Sequence, residues 1–254
     1  MLLVVDIGNT NVVMAMHDGN TWVANWRIYS DQKKTSDEYF VIVERMVSHG
    51  GFTPSDIDRS IISSVVPNLT RSFQKVIRTL SGKEPMMVTH DSAPSLKRES
   101  IPKELGCDLL ANAVAAHDLY PDHLCMVLDF GTALTLTTVT EEGEVLGAAI
   151  APGLVTAVNS LFHNTAQIPQ VQLKLPERAI GRDSDASIRS GIMYGYAGLV
   201  KELVSRSEQE LGKSAKVLAT GGLSRTIAPL IGRIDHLEPL LTLEGLRIMA
   251  DANH

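Results

Sequence analysis

Two short segments of the sequence place an aspartate, a glycine and a threonine directly after an apolar run. Residues 6–10 read Asp-Ile-Gly-Asn-Thr, and residues 129–132 read Asp-Phe-Gly-Thr. A glycine in such a turn leaves backbone N–H groups open to a phosphate, and hydroxyl and amide side chains add donors. The aspartate can hold a divalent cation directly or through water. One such turn is common hairpin chemistry, but two in the same context indicate nucleotide phosphates.

A third segment, Ala-Thr-Gly-Gly at 219–222, lies between a predicted strand and a predicted helix. Its glycines allow a ligand to approach a helix N-terminus, where the helix dipole favours an anion. The alternative is a helix entry that only needs small residues. Together with the two aspartate turns, the segment favours ligand binding at Gly221 and Gly222.

The context of the two aspartate turns repeats along the chain. In each copy an apolar run leads into the turn, a second run follows, and a glycine-containing turn connects it to a third run. This order predicts three strands joined by turns, and its recurrence predicts a duplication. The predicted strands are residues 2–5, 12–16 and 22–28 in the first copy, and 125–128, 134–140 and 145–151 in the second.

Helical periodicity follows each strand triplet. The predicted helices are 36–48 with Ser36 as N-cap, 68–80, 104–119, a helix from Pro152-Gly153 to residue 162, 185–211 and 242–250; further strands are predicted at 60–66 and 216–219. Strand triplets that alternate twice with helices predict an α/β fold of two similar domains with a cleft between them. The predicted domains are 1–112 and 113–254, with room for the last helix to pack back on the first domain.

Composition limits the function further. The chain has 254 residues, 44% of them hydrophobic, with 23 Lys and Arg against 29 Asp and Glu. The apolar fraction excludes disorder, and the net charge of -6 disfavours nucleic-acid binding. Cys107 and Cys125 fit no zinc or redox spacing. No apolar run reaches the roughly 18 residues of a spanning helix, and the N-terminus lacks a signal-peptide pattern. A cytoplasmic, soluble protein without membrane or nucleic-acid partners is predicted.

Nine motifs, matching in order over almost the whole chain, resemble the signatures of type III pantothenate kinases. They are Asp-Ile-Gly-Asn-Thr-Asn (6–11), Ser-Ser-Val-Val-Pro (63–67), Asp-Phe-Gly-Thr (129–132), Ala-Pro-Gly (151–153), Ile-Gly-Arg (180–182), Ser-Gly (190–191), Tyr-Gly (194–195), Ala-Thr-Gly-Gly (219–222) and Leu-Glu-Gly-Leu-Arg (243–247).

The resemblance implies a cytoplasmic homodimer of the actin-like ATPase superfamily, with two ribonuclease-H-like domains in each subunit. It implies a kinase that uses ATP to convert pantothenate to 4′-phosphopantothenate, the first step of coenzyme A biosynthesis. It also implies Mg²⁺ and a monovalent cation, K⁺ or NH₄⁺, as cofactors.

The same resemblance implies roles for individual residues. Asp108 is the general base that takes the proton from the substrate hydroxyl, Asp129 is associated with the monovalent cation, and Asp6 holds Mg²⁺ directly or through water. Ser184 stands where the family has a threonine that touches pantothenate. The implied ATP-binding residues are Asp6, Ile7, Gly8, Asn9, Thr10, Asn11, Val12, Val13, Thr132, Gly221 and Gly222, and the implied substrate-binding residues are Gly106, Cys107, Asp108, Leu109 and Ser184.

The departures from the family pattern all lie in the acceptor half. Leu109 replaces an arginine expected to hold the pantothenate carboxylate, and Glu99 replaces a tyrosine. Leucine donates no hydrogen bond, and a second carboxylate repels an anionic substrate. Lys97, Arg98 and Lys103 are candidates for the missing cation. Two alternatives therefore stay open: a nucleotide-binding regulatory protein with weak or no pantothenate kinase activity, and a kinase for another small alcohol.

Overall fold

The computed structural model describes residues 1–163 and 171–253. By its internal contacts the chain divides into two compact units. Unit 1 comprises Met1–Ala115 and the end of the chain from Leu241, and unit 2 comprises Ala116–Leu240. The division falls inside a helix, slightly after the boundary at residue 112 that the sequence predicts, and the last helix belongs to unit 1.

Unit 1 contains a five-stranded mixed sheet with strand order β3-β2-β1-β4-β5. The first three strands are antiparallel neighbours, and β4 and β5 run parallel to β1. The elements are β1 (Leu2–Ile7), β2 (Asn11–His17), β3 (Trp22–Tyr29), α1 (Ser36–His49), β4 (Arg59–Ser64), α2 (Pro67–Ser81), β5 (Met86–Met87) and α3 (Cys107–Leu119), whose end lies in unit 2.

Unit 2 repeats this topology with strand order β8-β7-β6-β9-β10. The elements are β6 (Cys125–Phe130), β7 (Ala133–Val139), β8 (Val145–Pro152), α4 (Leu154–His163), α5 (Ser184–Leu211), β9 (Lys216–Thr220), α6 (Ser224–Ile231) and β10 (His236–Leu237); α7 (Leu241–Ala252) returns to unit 1. The shared topology confirms the predicted α/β class and the duplication. No helix in the described residues is long and apolar enough to cross a membrane.

Alternation along β1 decides which side chains enter the core of unit 1. Leu3, Val5 and Ile7 belong to the core cluster that also contains Tyr39 of α1 and Phe73 of α2. Because successive side chains of a strand point to opposite faces, the remaining β1 residues face away from this cluster. The aspartate near the end of β1 is therefore on the other face of the sheet.

Helix α7 is tied to unit 1 by the Leu-Glu-Gly-Leu-Arg motif. Glu244 accepts a hydrogen bond from Trp22 Nε1 at 3.2 Å and from Arg247 Nε at 3.0 Å. At Gly245 the backbones of α7 and α3 come so close that a Cβ would lie 1.9 Å from the carbonyl oxygen of Ala111. The motif therefore has a packing role in the fold.

The predicted N-cap of α1 is wrong by one residue, and the predicted start of α3 is wrong by three residues. Helix α1 is capped by Thr35, not by Ser36, because Thr35 and Glu38 form a reciprocal capping box. Helix α3 begins at Cys107, not at residue 104, because the Leu105 N–H bonds back to Pro102 in a separate turn. The two-residue strands β5 and β10 were not predicted.

Candidate active site

The aspartate turn of unit 1 is held by its own backbone and by the end of β3. Gly8 N donates to Asn11 O at 3.0 Å, which closes the turn. Ser30 donates from its hydroxyl to Gly8 O at 2.6 Å and from its N–H to Thr10 O at 2.9 Å. Asn9 is exposed at the tip. The turn is thus fixed before any ligand binds, and its tip is accessible.

The structure separates the sequence-predicted ATP residues of this segment into two groups. Ile7 and Val12 pair across β1 and β2, and both side chains are buried in the core of unit 1. They support the turn from below. Asp6, Asn9, Thr10 and Asn11 are half-buried or exposed, as are Gly8 and Val13, and these are the residues that a ligand can reach.

The aspartate turn of unit 2 has the same construction with one residue fewer. Gly131 N donates to Ala133 O at 3.1 Å and closes the turn. From the chain after β8, Gly153 N donates to Thr132 O at 2.9 Å, and Thr156 Oγ1 donates to the same oxygen at 2.7 Å. The Ala-Pro-Gly motif therefore clamps the second turn, as Ser30 clamps the first. Thr132 itself is exposed.

Gly221 lies against the second aspartate. A Cβ at this position would lie 2.5 Å from Asp129 Oδ1 and 2.6 Å from Phe130 N, and its φ of +87° disfavours other residues. Ser224, the first residue of α6, donates to Gly221 O at 2.8 Å. The glycine pair 221–222 thus connects β9 to α6 immediately beside the Asp129 carboxylate.

Asp108 is the second residue of α3, and its carboxylate Oδ1 accepts a hydrogen bond from Leu109 N at 2.9 Å. Burial raises the pKa of this carboxyl above its ordinary value, and the hydrogen bonds from the backbone N–H groups of Leu109 and Asp108 lower it in part. A half-buried carboxylate with a raised pKa has the properties of a general base.

Cys107 is the first residue of α3 and directly precedes Asp108. Its thiol donates to Val88 O at 3.7 Å. The pKa of this thiol is raised, first because it is buried and further because the negative charges of Asp108 and Asp6 act on it. With its pKa raised, this thiol stays protonated at neutral pH and is not a nucleophile. Cys107 and Cys125 are both free.

The remaining acceptor residues lie in different surroundings. Leu109, in the first turn of α3, is 8% exposed and offers a ligand little surface, whereas Glu99 is exposed. Arg98 is paired with Asp91 at 2.6 Å. Ser184 is exposed at the start of α5 in unit 2, where Asp183 caps the helix by accepting from Ala186 N at 2.7 Å.

Two residues near this site received no role from the sequence. His90 lies beside the segment that precedes Asp108, with Nε2 3.4 Å from Leu105 O. Ser63 pairs in register with Asp6, and its buried hydroxyl has no hydrogen-bond partner in the part of the chain that the structure describes. Ser63 belongs to a motif shared with the family, but nothing local in the sequence marks it as a neighbour of Asp6.

Comparison with known proteins identifies the chain. The sequence model of the type III pantothenate kinase family matches residues 2–206. The type III pantothenate kinase of Moorella thermoacetica is 40% identical over 258 residues, covering 100% of both chains. Among solved structures, a Campylobacter jejuni protein assigned to the Baf family of transcriptional activators has a TM-score of 0.59 at 18% identity, with 99% and 98% of the two chains covered. The activator of 2-hydroxyisocaproyl-CoA dehydratase from Clostridium difficile, solved with ADPNP, has a TM-score of 0.56 at 14% identity, with 99% and 95% covered.

The two α/β units, each with the same sheet topology and an aspartate turn, have the actin-like ATPase fold that the sequence predicts. More particularly, the chain belongs to the type III pantothenate kinase family.

Proposed function

We propose that the protein transfers the γ-phosphoryl group of ATP to pantothenate and forms 4′-phosphopantothenate, the first step of coenzyme A biosynthesis. The observation that carries this proposal is the position of Asp108 in unit 1. The preceding residue, Cys107, donates its thiol hydrogen to Val88 O, and Val88 N donates to Ile62 O of β4, the strand that pairs with β1 beside Asp6. A base near a phosphate-binding turn is what phosphoryl transfer to an alcohol needs, since the enzyme mainly positions the groups and stabilises charge. Asp108 takes the proton of the pantothenate hydroxyl.

Each unit carries, at its own aspartate turn, exposed groups that suit the phosphates of ATP. In unit 1 these are the tip at Asn9 and the neighbouring Thr10, and in unit 2 the exposed Thr132 and the glycines at 221–222. Backbone N–H groups and hydroxyls at rigid turns suit phosphate oxygens because they need little rearrangement on binding.

The residues present fit Mg²⁺ at Asp6. Within residues 1–163 and 171–253 no group of three His, Cys, Asp or Glu side chains could hold a metal. Mg²⁺ commonly uses one or two carboxylates together with phosphates, so a single carboxylate beside a phosphate turn suits it. The ion neutralises charge on the phosphates when bound. Asp129, with the backbone of Gly221 against it, is the proposed monovalent-cation residue for K⁺ or NH₄⁺.

The acceptor half supports a second candidate, a kinase for a different small alcohol. Leu109 supplies no hydrogen-bond donor, and the exposed Glu99 adds negative charge. Arg98 is in an ion pair with Asp91, which already compensates part of its charge. His90 is an additional candidate to donate a hydrogen bond to a carboxylate, because it lies next to the segment that carries Asp108.

The test is an ATP-consumption assay of the pure protein with Mg²⁺, K⁺, pantothenate and a panel of small alcohols, with the product identified by mass. We expect ADP release that depends on pantothenate and a product heavier by one phosphoryl group. Release with another alcohol in place of pantothenate would support the second candidate. Nucleotide binding without turnover of any acceptor would support the regulatory alternative and overturn the proposal.

We also propose that the enzyme is a cytoplasmic homodimer. Support comes from α5, where Gly191, Gly195 and Gly198 lie on one exposed face and a Cβ at any of them would meet no atom within 4 Å. Tyr194 on the same face is 40% exposed. A second copy could pack closely against such a face.

A further inference from the structure

The hydroxyl of Ser63 in β4 is a buried polar group that the fold of unit 1 leaves unsatisfied. Ser63 is fully buried, and its Oγ has no hydrogen-bond partner in the described residues. Burying a hydroxyl without a partner costs free energy, so such groups are uncommon in folded proteins. Packing alone therefore does not explain why a serine occupies this position.

The register of the sheet places this hydroxyl beside Asp6. In the parallel pair β1 and β4, Ser63 is the partner of Asp6. Paired residues of neighbouring strands point to the same face, with strands about 4.8 Å apart. Solvent does not reach Ser63 Oγ. A protein group that turns toward this hydroxyl can be its partner, and a carboxylate has about four lone-pair positions for accepted hydrogen bonds.

The duplicated unit contains the same pair. Thr220 of β9 is the parallel partner of Asp129 of β6, and it is 1% exposed. Both units thus put a buried hydroxyl in register with the strand-end aspartate. Ser60, the other buried serine of β4 without a partner for its Oγ, pairs instead with Leu3 of the core face.

We propose that Ser63 is a positioning residue for the Mg²⁺-nucleotide site: its hydroxyl donates a hydrogen bond to the Asp6 carboxylate in the nucleotide-bound state and thereby holds that carboxylate toward the cation. This inference rests on the proposed role of Asp6 in the ATP site. In the free protein the hydroxyl is unsatisfied, and binding supplies the acceptor geometry.

The test compares Ser63 variants by calorimetry with a non-hydrolysable ATP analogue, with Mg²⁺ and with EDTA. For Ser63→Ala we expect affinity with Mg²⁺ to fall roughly tenfold or more, because a hydrogen bond to a carboxylate is lost. The affinity in EDTA should not change. The melting temperature of the free protein should stay level or rise, because an unsatisfied hydroxyl is removed. Ser60→Ala is the matched control and should leave affinity unchanged.

A second pair of variants separates the effect of the hydroxyl group from the effect of side-chain shape. The side chains introduced by Ser63→Thr and Ser63→Val have nearly the same volume. Thr220 shows that threonine suits the corresponding register position of unit 2. We expect the threonine variant to keep Mg²⁺-dependent affinity and the valine variant to lose it. Equal affinity of the two, or an unchanged Ser63→Ala, would overturn the inference while wild-type binding leaves the proposed function standing. Failure of the wild type to bind the analogue would instead overturn both.

Discussion

At the scale of single residues, the burial of the proposed base, Asp108, lowers the stability of the folded protein. The carboxyl of Asp108 is half-buried, and its pKa is raised because burial disfavours the charged form. A group whose pKa is raised by folding binds protons more tightly in the folded state, so its ionisation destabilises the fold. The same burial that makes Asp108 a better base therefore makes the protein less stable at neutral pH.

Asp108→Asn is expected to stabilise the protein at pH 7 while removing kinase activity. The amide keeps an oxygen to accept from Leu109 N, but it carries no charge to bury and cannot take a proton. Below pH 3.8, the ordinary pKa, the Asp108 carboxyl is neutral in the folded and in the unfolded state, so the stability advantage of the variant should vanish. Above 3.8 it should grow until pH exceeds the raised pKa, and then stay constant.

Thermal melts of both proteins from pH 3 to pH 8, together with the ATP-consumption assay, check this expectation. Glu99→Gln is the control, because it removes an exposed carboxylate by the same chemical change. A variant that is less stable than the wild type at pH 7 would show that the Asp108 charge is well solvated or paired. Retained turnover would show that another group is the base.

At the scale of elements, the sequence predicts what is local. Apolar runs with intervening turns gave all six strands of the two triplets, and the Asp-x-Gly turns were recognisable because each is one continuous segment. Strands β5 and β10 have two residues each, too few for any periodicity. The neighbourhood of Asp6 and Ser63 depends on parallel pairing between distant strands, which leaves no local pattern.

The close contact of α7 and α3 at Gly245 is an element-scale feature with a direct test. Gly245→Ala would place Cβ 1.9 Å from the Ala111 carbonyl oxygen, a backbone atom that cannot turn aside. We expect the free energy of unfolding to fall by about 1–3 kcal/mol or more, the usual cost of overpacking. Denaturant melts should show an earlier midpoint.

Thr79→Ala is the control for this substitution. It also places an alanine in a helix, but at an exposed position of α2. Because alanine has the higher helix propensity, that variant should be as stable as the wild type or more stable by up to about 0.7 kcal/mol. Equal stability of Gly245→Ala and the wild type would mean that α7 does not pack on α3 as described.

At the scale of the whole molecule, the shared topology of the two units does not explain the exposed glycine face of α5. The two sheets have the same strand order, each unit has an aspartate turn, and the registers agree at Asp6 and Asp129. The exposed glycine face of α5 has no role in this scheme. Glycine costs stability in a helix interior, so three of them on one exposed face favour a close contact with another chain.

Gly195→Arg is therefore expected to convert a homodimer into a monomer. The new side chain has open space in the isolated chain, so folding should persist, but it fills the surface that a second copy would cover. Light scattering at micromolar concentration should give twice the 27.6 kDa chain mass for the wild type and for Ser48→Arg, an arginine placed on the exposed end of α1. The Gly195→Arg protein should give 27.6 kDa with an unchanged circular dichroism spectrum. A monomeric wild type would refute the homodimer, and a dimeric Gly195→Arg would move its interface away from α5.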